Sequence, residues 1–278
     1  MNRVLLRQSV RDSWLLLAAC CALTAAFIWL RIWIASKIRT EAFIRMFSGA
    51  LKMFASLLPV PIEDLASPLG RSAFSYEEMP VILLLGLWTV ARGSECIAGR
   101  VGAGTMEMLL AQPLRRFTLV ASHSTVTFAG VAVLGIASWL GLGAGLATSS
   151  FPAPPALRQL LPATANYVAF GLFLAALATA ASAVFRTRSQ AVAAVIAFYV
   201  VNLAAMILSR LSPSAEWLQN FTVFSTYEPT MLAINLARDA EHAWPLFWQY
   251  NAVLVGLGAA LWGAAATIFC RRDVPAPL

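Results

Sequence analysis

Long stretches without charge alternate with short charged ones along this chain. Residues 13–30, 79–91, 117–157, 159–185, 189–209 and 242–270 contain no Asp, Glu, Lys or Arg. A helix crossing hydrocarbon needs about 20 mainly apolar residues, so each stretch is read as a span. The second stretch is short, and its span must absorb Arg92 and Glu95 near one end. The third is too long for one crossing. Gly141, Gly143 and Gly145, followed by Pro152, Pro154 and Pro155, predict that it ends near Ser149. Irregular backbone facing lipid would leave amides unsatisfied, so helix is the expected conformation. The pattern predicts an all-α integral membrane protein: one transmembrane domain over 1–278, with six spans at roughly 14–35, 78–98, 117–148, 161–185, 189–209 and 244–270.

Composition agrees. Of 278 residues, 60% are hydrophobic and 12% charged, whereas a soluble domain is about 25% charged. Disorder and an ordinary water-soluble fold are both excluded. An even number of spans puts both termini on one side, and Lys and Arg favour the cytoplasmic side. With the termini inside, that face carries 11 of the 20 basic residues against 4 of the 13 acidic ones, and its basic loop at Arg186 and Arg188 is only a few residues long. Both termini are expected in the cytoplasm. The first apolar stretch exceeds the 7 to 15 residues of a signal-peptide core and five more follow it, so it is read as a span and not a cleaved leader. Leu17, Ala18, Ala19 and Cys20 resemble a lipoprotein processing box, but the apolar run continues well past Cys20.

Three segments outside the spans are amphipathic or aromatic. Arg3, Arg7 and Arg11 recur every four residues among Val4, Leu5, Leu6 and Val10, the pattern of a helix at the lipid surface leading into the first span. Residues 41–58 repeat it, with Glu41, Arg45, Ser48, Gly49, Lys52 and Ser56 as the polar positions, until Pro59, Pro61 and Pro68 interrupt. The segment 210–243, with Trp217, Phe221, Phe224 and Tyr227, has the aromatic content of an interfacial segment, either a short re-entrant or surface helix or an ordered loop.

Little of the sequence points to chemistry in the chain itself. Cys20 and Cys21 fall in the first span and Cys96 and Cys270 near the cytoplasmic boundary, which provides no disulfide framework. His123 and His242 fall on opposite sides, so no metal site is expected. A P-loop needs a lysine after its glycines. Lys37 and Lys52 are the only lysines, and neither follows such a loop. Gly99, Gly102 and Gly104 lack that partner as well.

The most informative stretch is the cytoplasmic loop 95–116. Its glycines loosen the exit from the membrane. Thr105 is placed to cap a helix, Glu107 meets the positive end of that helix's dipole, and Pro113 disfavours helix at Gln112. A helix of about two turns follows from these signals. The string Gly104-Thr105-Met106-Glu107-Met108-Leu109-Leu110-Ala111-Gln112-Pro113-Leu114-Arg115-Arg116 resembles the Gly-Thr-Leu-Glu-Leu-Leu-Leu-Ala-Gln-Pro pattern of permease subunits in the type 2 family of ABC transporters. The six spans, the basic N-terminal segment and the tail from Arg271-Arg272-Asp273 to Leu278 look like the same family, so the resemblance covers the whole chain.

That resemblance implies a transport subunit with an N-terminal interfacial helix and a short cytoplasmic coupling helix between spans 2 and 3. It implies two copies, or one copy with a similar permease subunit, driven by a cytosolic ABC ATPase that binds ATP and Mg, in a bacterial inner membrane. The chain itself is expected to bind no cofactor and to have no catalytic residue. The implied coupling residues are Glu95, Gly104, Thr105, Met106, Glu107, Met108, Leu109, Leu110, Gln112 and Pro113, with Met106 and Met108 where leucine is usual. Arg3, Arg7 and Arg11 form the membrane-surface helix. Where family members often carry Gly-Lys shortly after the loop, this chain has Ser122-His123.

Within the spans, Arg92 and Glu95 are spaced for an i,i+3 ion pair near the boundary, and Arg31 is placed to snorkel outward. Gly141 with Gly145, and Gly256 with Ala260 and Ala264, are small-residue stripes suited to close helix packing within or between subunits, with packing inside the chain the expected use. Two other function classes compete with ATP-driven export. An ion-gradient-driven secondary transporter would need midplane ionisable groups that these spans nearly lack. An intramembrane enzyme would have to use Glu95, Ser122 and His123 without an acid to orient the histidine. The transported substrate is not encoded in any charged selector.

Overall fold

The computed structural model describes residues 3–38, 60–111 and 115–272. Among them there is no strand, and six helical stretches are long and apolar enough to cross a membrane. The first, α1 (Arg3–Lys37), runs unbroken. It contains no Gly or Pro to stop propagation. Residues 3–12 form the opening turns of this helix and run continuously into the first span. Arg3, Arg7 and Arg11 are exposed, while Ser9 and Ser13 are buried on the opposite side.

Two short helices, α2 (Ile62–Ala66) and α3 (Pro68–Ala73), lead through the turn Phe74–Tyr76 into α4 (Met79–Ser94). Pro68 opens α3, where its missing N–H is not needed, and the Ser67 hydroxyl accepts the Gly70 amide as a cap. After α4 come a π-helical turn (Glu95–Gly99), α5 (Arg100–Gly102) and α6 (Thr105–Leu110). The remaining long helices are α7 (Arg116–Ala147), α8 (Leu161–Val184), α9 (Arg188–Leu211) and, after the short α10 (Pro229–Arg238), α11 (Ala240–Arg271). The aromatic segment before α10 forms two 3-10 stretches, Pro213–Phe221 and Val223–Thr226. The surface helix expected at 41–58 lies outside the described residues, as do Gln112, Pro113 and residues 273–278.

At the centre stands α8. Its most apolar stretch is 72% buried, against 11% for α9. Small residues explain the difference: Ala163, Ala169, Ala175, Ala176, Ala178 and Ala183 are all buried on α8, which lets α4, α7 and α11 approach it closely. Helix α1 packs chiefly on α7. A Cβ at Gly141 would come 2.6 Å from the Ala25 carbonyl oxygen, and one at Gly145 would come 2.9 Å from the Ile32 Cβ. The expected packing role of Gly141 and Gly145 is thus met within the chain. Gly256 differs: nothing lies within 4 Å of where its Cβ would be, and Ala260 and Ala264 are exposed with it. The side of α11 that packs on α8 carries Gly258, Ala265 and Ala266 instead.

One end of the bundle collects Arg92, Arg100, Arg116, Arg188 and Arg272 and is called here the basic end. The far end is held by a polar lattice. Tyr227 donates to the Tyr76 carbonyl at 2.6 Å, the Tyr76 hydroxyl lies 2.7 Å from that of Thr164, and Arg210 pairs with Glu228 at 2.5 Å. Arg31 does not snorkel freely. It pairs with Glu78 at 2.6 Å and also donates to the Arg71 carbonyl, because α3 and the start of α4 bring these acceptors alongside α1.

Candidate functional site

At the basic end, α4 changes from α to π geometry at Glu95. Such a turn frees backbone groups that need other partners. Ser182, near the end of α8, supplies them. Its hydroxyl accepts the amides of Ile97 at 3.0 Å and Ala98 at 2.8 Å and donates to the Ser94 carbonyl at 3.0 Å. Arg188 donates to the Ser94 hydroxyl and the Ala91 carbonyl. Arg272 donates to the carbonyls of Ala183, Val184 and Phe185, closing the end of α8.

The chain then turns at Gly104, whose φ of 69° lies in the left-handed region that a side chain disfavours. Gly104 is the residue that precedes α6, and no side chain caps the helix. Thr105 stands inside the first turn, and its hydroxyl donates to the Arg100 carbonyl at 3.2 Å. The expected cap at Thr105 is replaced by this tie back to α5, because a positive φ was needed one residue earlier. Glu107 does fall in the first turn.

Helix α6 has two unlike faces. Met106 is 1% exposed and packs in a cluster with Cys96, Ile97, Leu119, Val120 and Phe269. Met108 is 65% exposed, and Glu107 is exposed beside it. The two methionines that stand in for leucines therefore have different surroundings: one anchors α6 to the bundle and the other is available. Leu109 is half-buried against the same cluster. Leu110 ends the helix, and Gln112 and Pro113 lie outside the described residues.

Glu95 pairs with Arg92 at 2.9 Å, which is the expected i,i+3 pair. The pairing is asymmetric, with the arginine side chain 3% exposed and the glutamate 39%. Arg92 also donates to the Ser9 hydroxyl at 2.6 Å, joining the start of α1 to α4. Ser122 and His123 are buried, and neither the Ser122 hydroxyl nor either ring nitrogen of His123 has a hydrogen-bond partner among the described residues. Among the described residues, no acid or hydroxyl orients the imidazole as a base.

A family model described as ABC-2 family transporter protein matches residues 6–274. The chain belongs to the ABC-2 transporter family. It is a multi-pass membrane protein and the membrane component of an ABC transporter, a class that works with an ABC ATPase subunit. No curated protein matches it.

In this ABC-2 permease a lateral groove of 570 Å³ separates α4 from α9. Ile82, Leu83, Leu87 and Val90 line one wall and Val192, Val195 and Ile196 the other, with Arg188 also at its lining. The sequence reading missed Ser182, Arg272 and this groove. A lone serine in an alanine-rich span and an arginine closing the last helix were the available signals. Neither shows from spacing which backbone it reaches.

Proposed function

We propose that this permease is the membrane subunit of an ATP-driven exporter in a bacterial inner membrane, with both termini and the basic end in the cytoplasm. Two permease subunits, identical or similar, enclose the path, and ATP and Mg sit on two partner ATPase subunits. The observation that carries the reading is the two-faced α6. Its exposed Glu107 and Met108 are available to a partner, while Met106 ties the same helix into the bundle. A push on α6 is then delivered through the π turn to Ser182 and so to the central helix α8. The apolar wall of α4 and the largely exposed α9 support a path shared between two permease copies.

The test is co-purification of the permease with its ATPase, followed by paired replacement of Glu107 and Met108 with alanine. Loss of ATPase capture with an unchanged melting temperature supports the coupling role. Capture and transport at wild-type levels in that variant would remove it.

A further inference from the structure

The groove between α4 and α9 is aliphatic along its length and charged at one end only. Arg188 is the single charged residue in its lining, and Tyr199 marks the other end of the α9 wall. At about 1.5 Å of rise per residue, these two positions stand about 16 Å apart along α9. Arg188 opens α9 at the edge of the uncharged stretch 189–209, which places it at the boundary of the hydrocarbon. One leaflet contributes about 15 Å of hydrocarbon, half of a core about 30 Å thick. The groove therefore has the length of one acyl chain and begins where a lipid headgroup sits. Leu83, Leu87 and Ile196 along it are exposed, so it opens sideways to the bilayer.

The charge at the headgroup end has no protein counter-charge among the described residues. Arg188 donates through Nε to the Ser94 hydroxyl at 3.3 Å and through Nη2 to the Ala91 carbonyl at 3.4 Å, two long bonds to neutral acceptors. Glu95, whose stem meets that of Arg188 beside Gly99, is paired with Arg92 instead. Arg186 is exposed two positions earlier, and the positive end of the α9 dipole falls at the same place. A second permease inserted in the same direction would bring its own basic end to this level, arginine against arginine. A phosphate would supply the missing sign, in the fork geometry that a guanidinium matches.

We propose that this groove seats an anionic phospholipid from the leaflet at the basic end, with its phosphate on Arg188 and one acyl chain between α4 and α9. A zwitterionic lipid fits the groove as well, but its ammonium would lie among Arg186, Arg188 and the helix dipole, so the anionic head is preferred. Gly86 gives the chain its room: it lines the groove, and nothing lies within 4 Å of where its Cβ would be. The assignment concerns lipid around the permease and stands whether or not the groove also borders a transport path.

The test reconstitutes the full-length permease in phosphatidylcholine nanodiscs containing a trace of phosphatidylglycerol with a diazirine in one acyl chain. Phosphatidylcholine with the same labelled chain is the control. After irradiation, the peptides containing residues 82–91 and 192–199 should carry about five-fold more phosphatidylglycerol than phosphatidylcholine label. Arg188→Gln should bring the two lipids level, Arg188→Lys should keep most of the preference, and Arg186→Gln should lower it less than Arg188→Gln does. Gly86→Leu, which fills the groove and leaves Arg188 in place, should remove label of both kinds from these peptides. Equal labelling by both heads in the wild type, equal loss in the Arg186 and Arg188 variants, or labelling unchanged in Gly86→Leu overturns the site. Absence of either label from the wild-type groove gives it to a second protein surface and overturns the site too. No arm uses ATP or the ATPase, so the lipid site and the exporter reading fail separately.

Discussion

The Ser182 hydroxyl lies 2.8 Å from the amide nitrogen of Ala98 and joins two helices by bonding a side chain of one to the backbone of the other. Two amides of the π turn and the Ser94 carbonyl just before it converge on this one oxygen, so a change at Ser182 acts on the whole turn. Ser182→Ala should cost about 2 to 3 kcal/mol, because two buried amides lose their acceptor. Thermal unfolding of the purified permease measures this. In the complex with its ATPase, the same variant should capture the ATPase normally yet lose substrate stimulation of ATP hydrolysis.

The two methionines of α6 should separate cleanly. Met106→Ala removes a side chain that is 1% exposed and should destabilise the protein by about 2 to 4 kcal/mol. Met108→Ala should stay within about 0.5 kcal/mol of wild type, as expected for an exposed position. Comparing melting temperature with ATPase capture for the two variants checks the division. Equal destabilisation would contradict the two-faced helix.

Close helix approach makes a graded prediction for added methyl groups. A Cβ at Gly130 would lie 2.1 Å from the Trp88 ring, whose indole N–H donates to the Thr127 carbonyl at 3.0 Å and holds the ring in place. Gly130→Ala and Gly141→Ala should each cost about 1 to 3 kcal/mol through overpacking. Gly256→Ala meets open space and should be neutral or slightly stabilising, since alanine is the better helix former. Melting temperatures of the three variants in one detergent provide the test.

Burial pushes the Glu228 carboxyl above the ordinary carboxylate range, with Arg210 pulling it back. The folded state thus holds this proton more tightly than the unfolded chain. The stability it contributes is complete below the ordinary carboxylate value and declines as pH rises through the folded one. Glu77 accepts the Thr230 amide nearby and is coupled to the same carboxylate. Glu228→Gln carries a constant offset from losing its ion pair with Arg210, so the slope is the measurement. From about pH 4 to about pH 7, the melting temperature of Glu228→Gln should rise relative to that of wild type. A constant difference over that interval would place the carboxyl at its ordinary value.

Much of the loop 95–116 was legible because its signals are local. Glycines before 105, an acid at 107 and a proline at 113 limit a short helix whatever surrounds it, and the helix Thr105–Leu110 agrees with them. The mistaken cap at Thr105 arose from a similar local rule. The chain needed a left-handed residue at Gly104, and the threonine hydroxyl then lay nearer the Arg100 carbonyl. Arg31 illustrates the opposite limit, since its partner Glu78 is 47 residues away and only the placement of α3 and α4 against α1 brings them together.

By itself, the sequence determined the solvent, the all-helical class and the number of spans. Each follows from free energy of transfer summed over about 20 consecutive residues, a quantity that needs no knowledge of neighbours. Tertiary structure alone decided that α8 is central, that Met106 faces inward while Met108 does not, and that Ser182 accepts the amides of the π turn. In spans this uniformly apolar, the faces of a helix differ little in hydropathy. Which face is buried depends on where small side chains let another backbone come close, and that is a relation between helices, not a property of one.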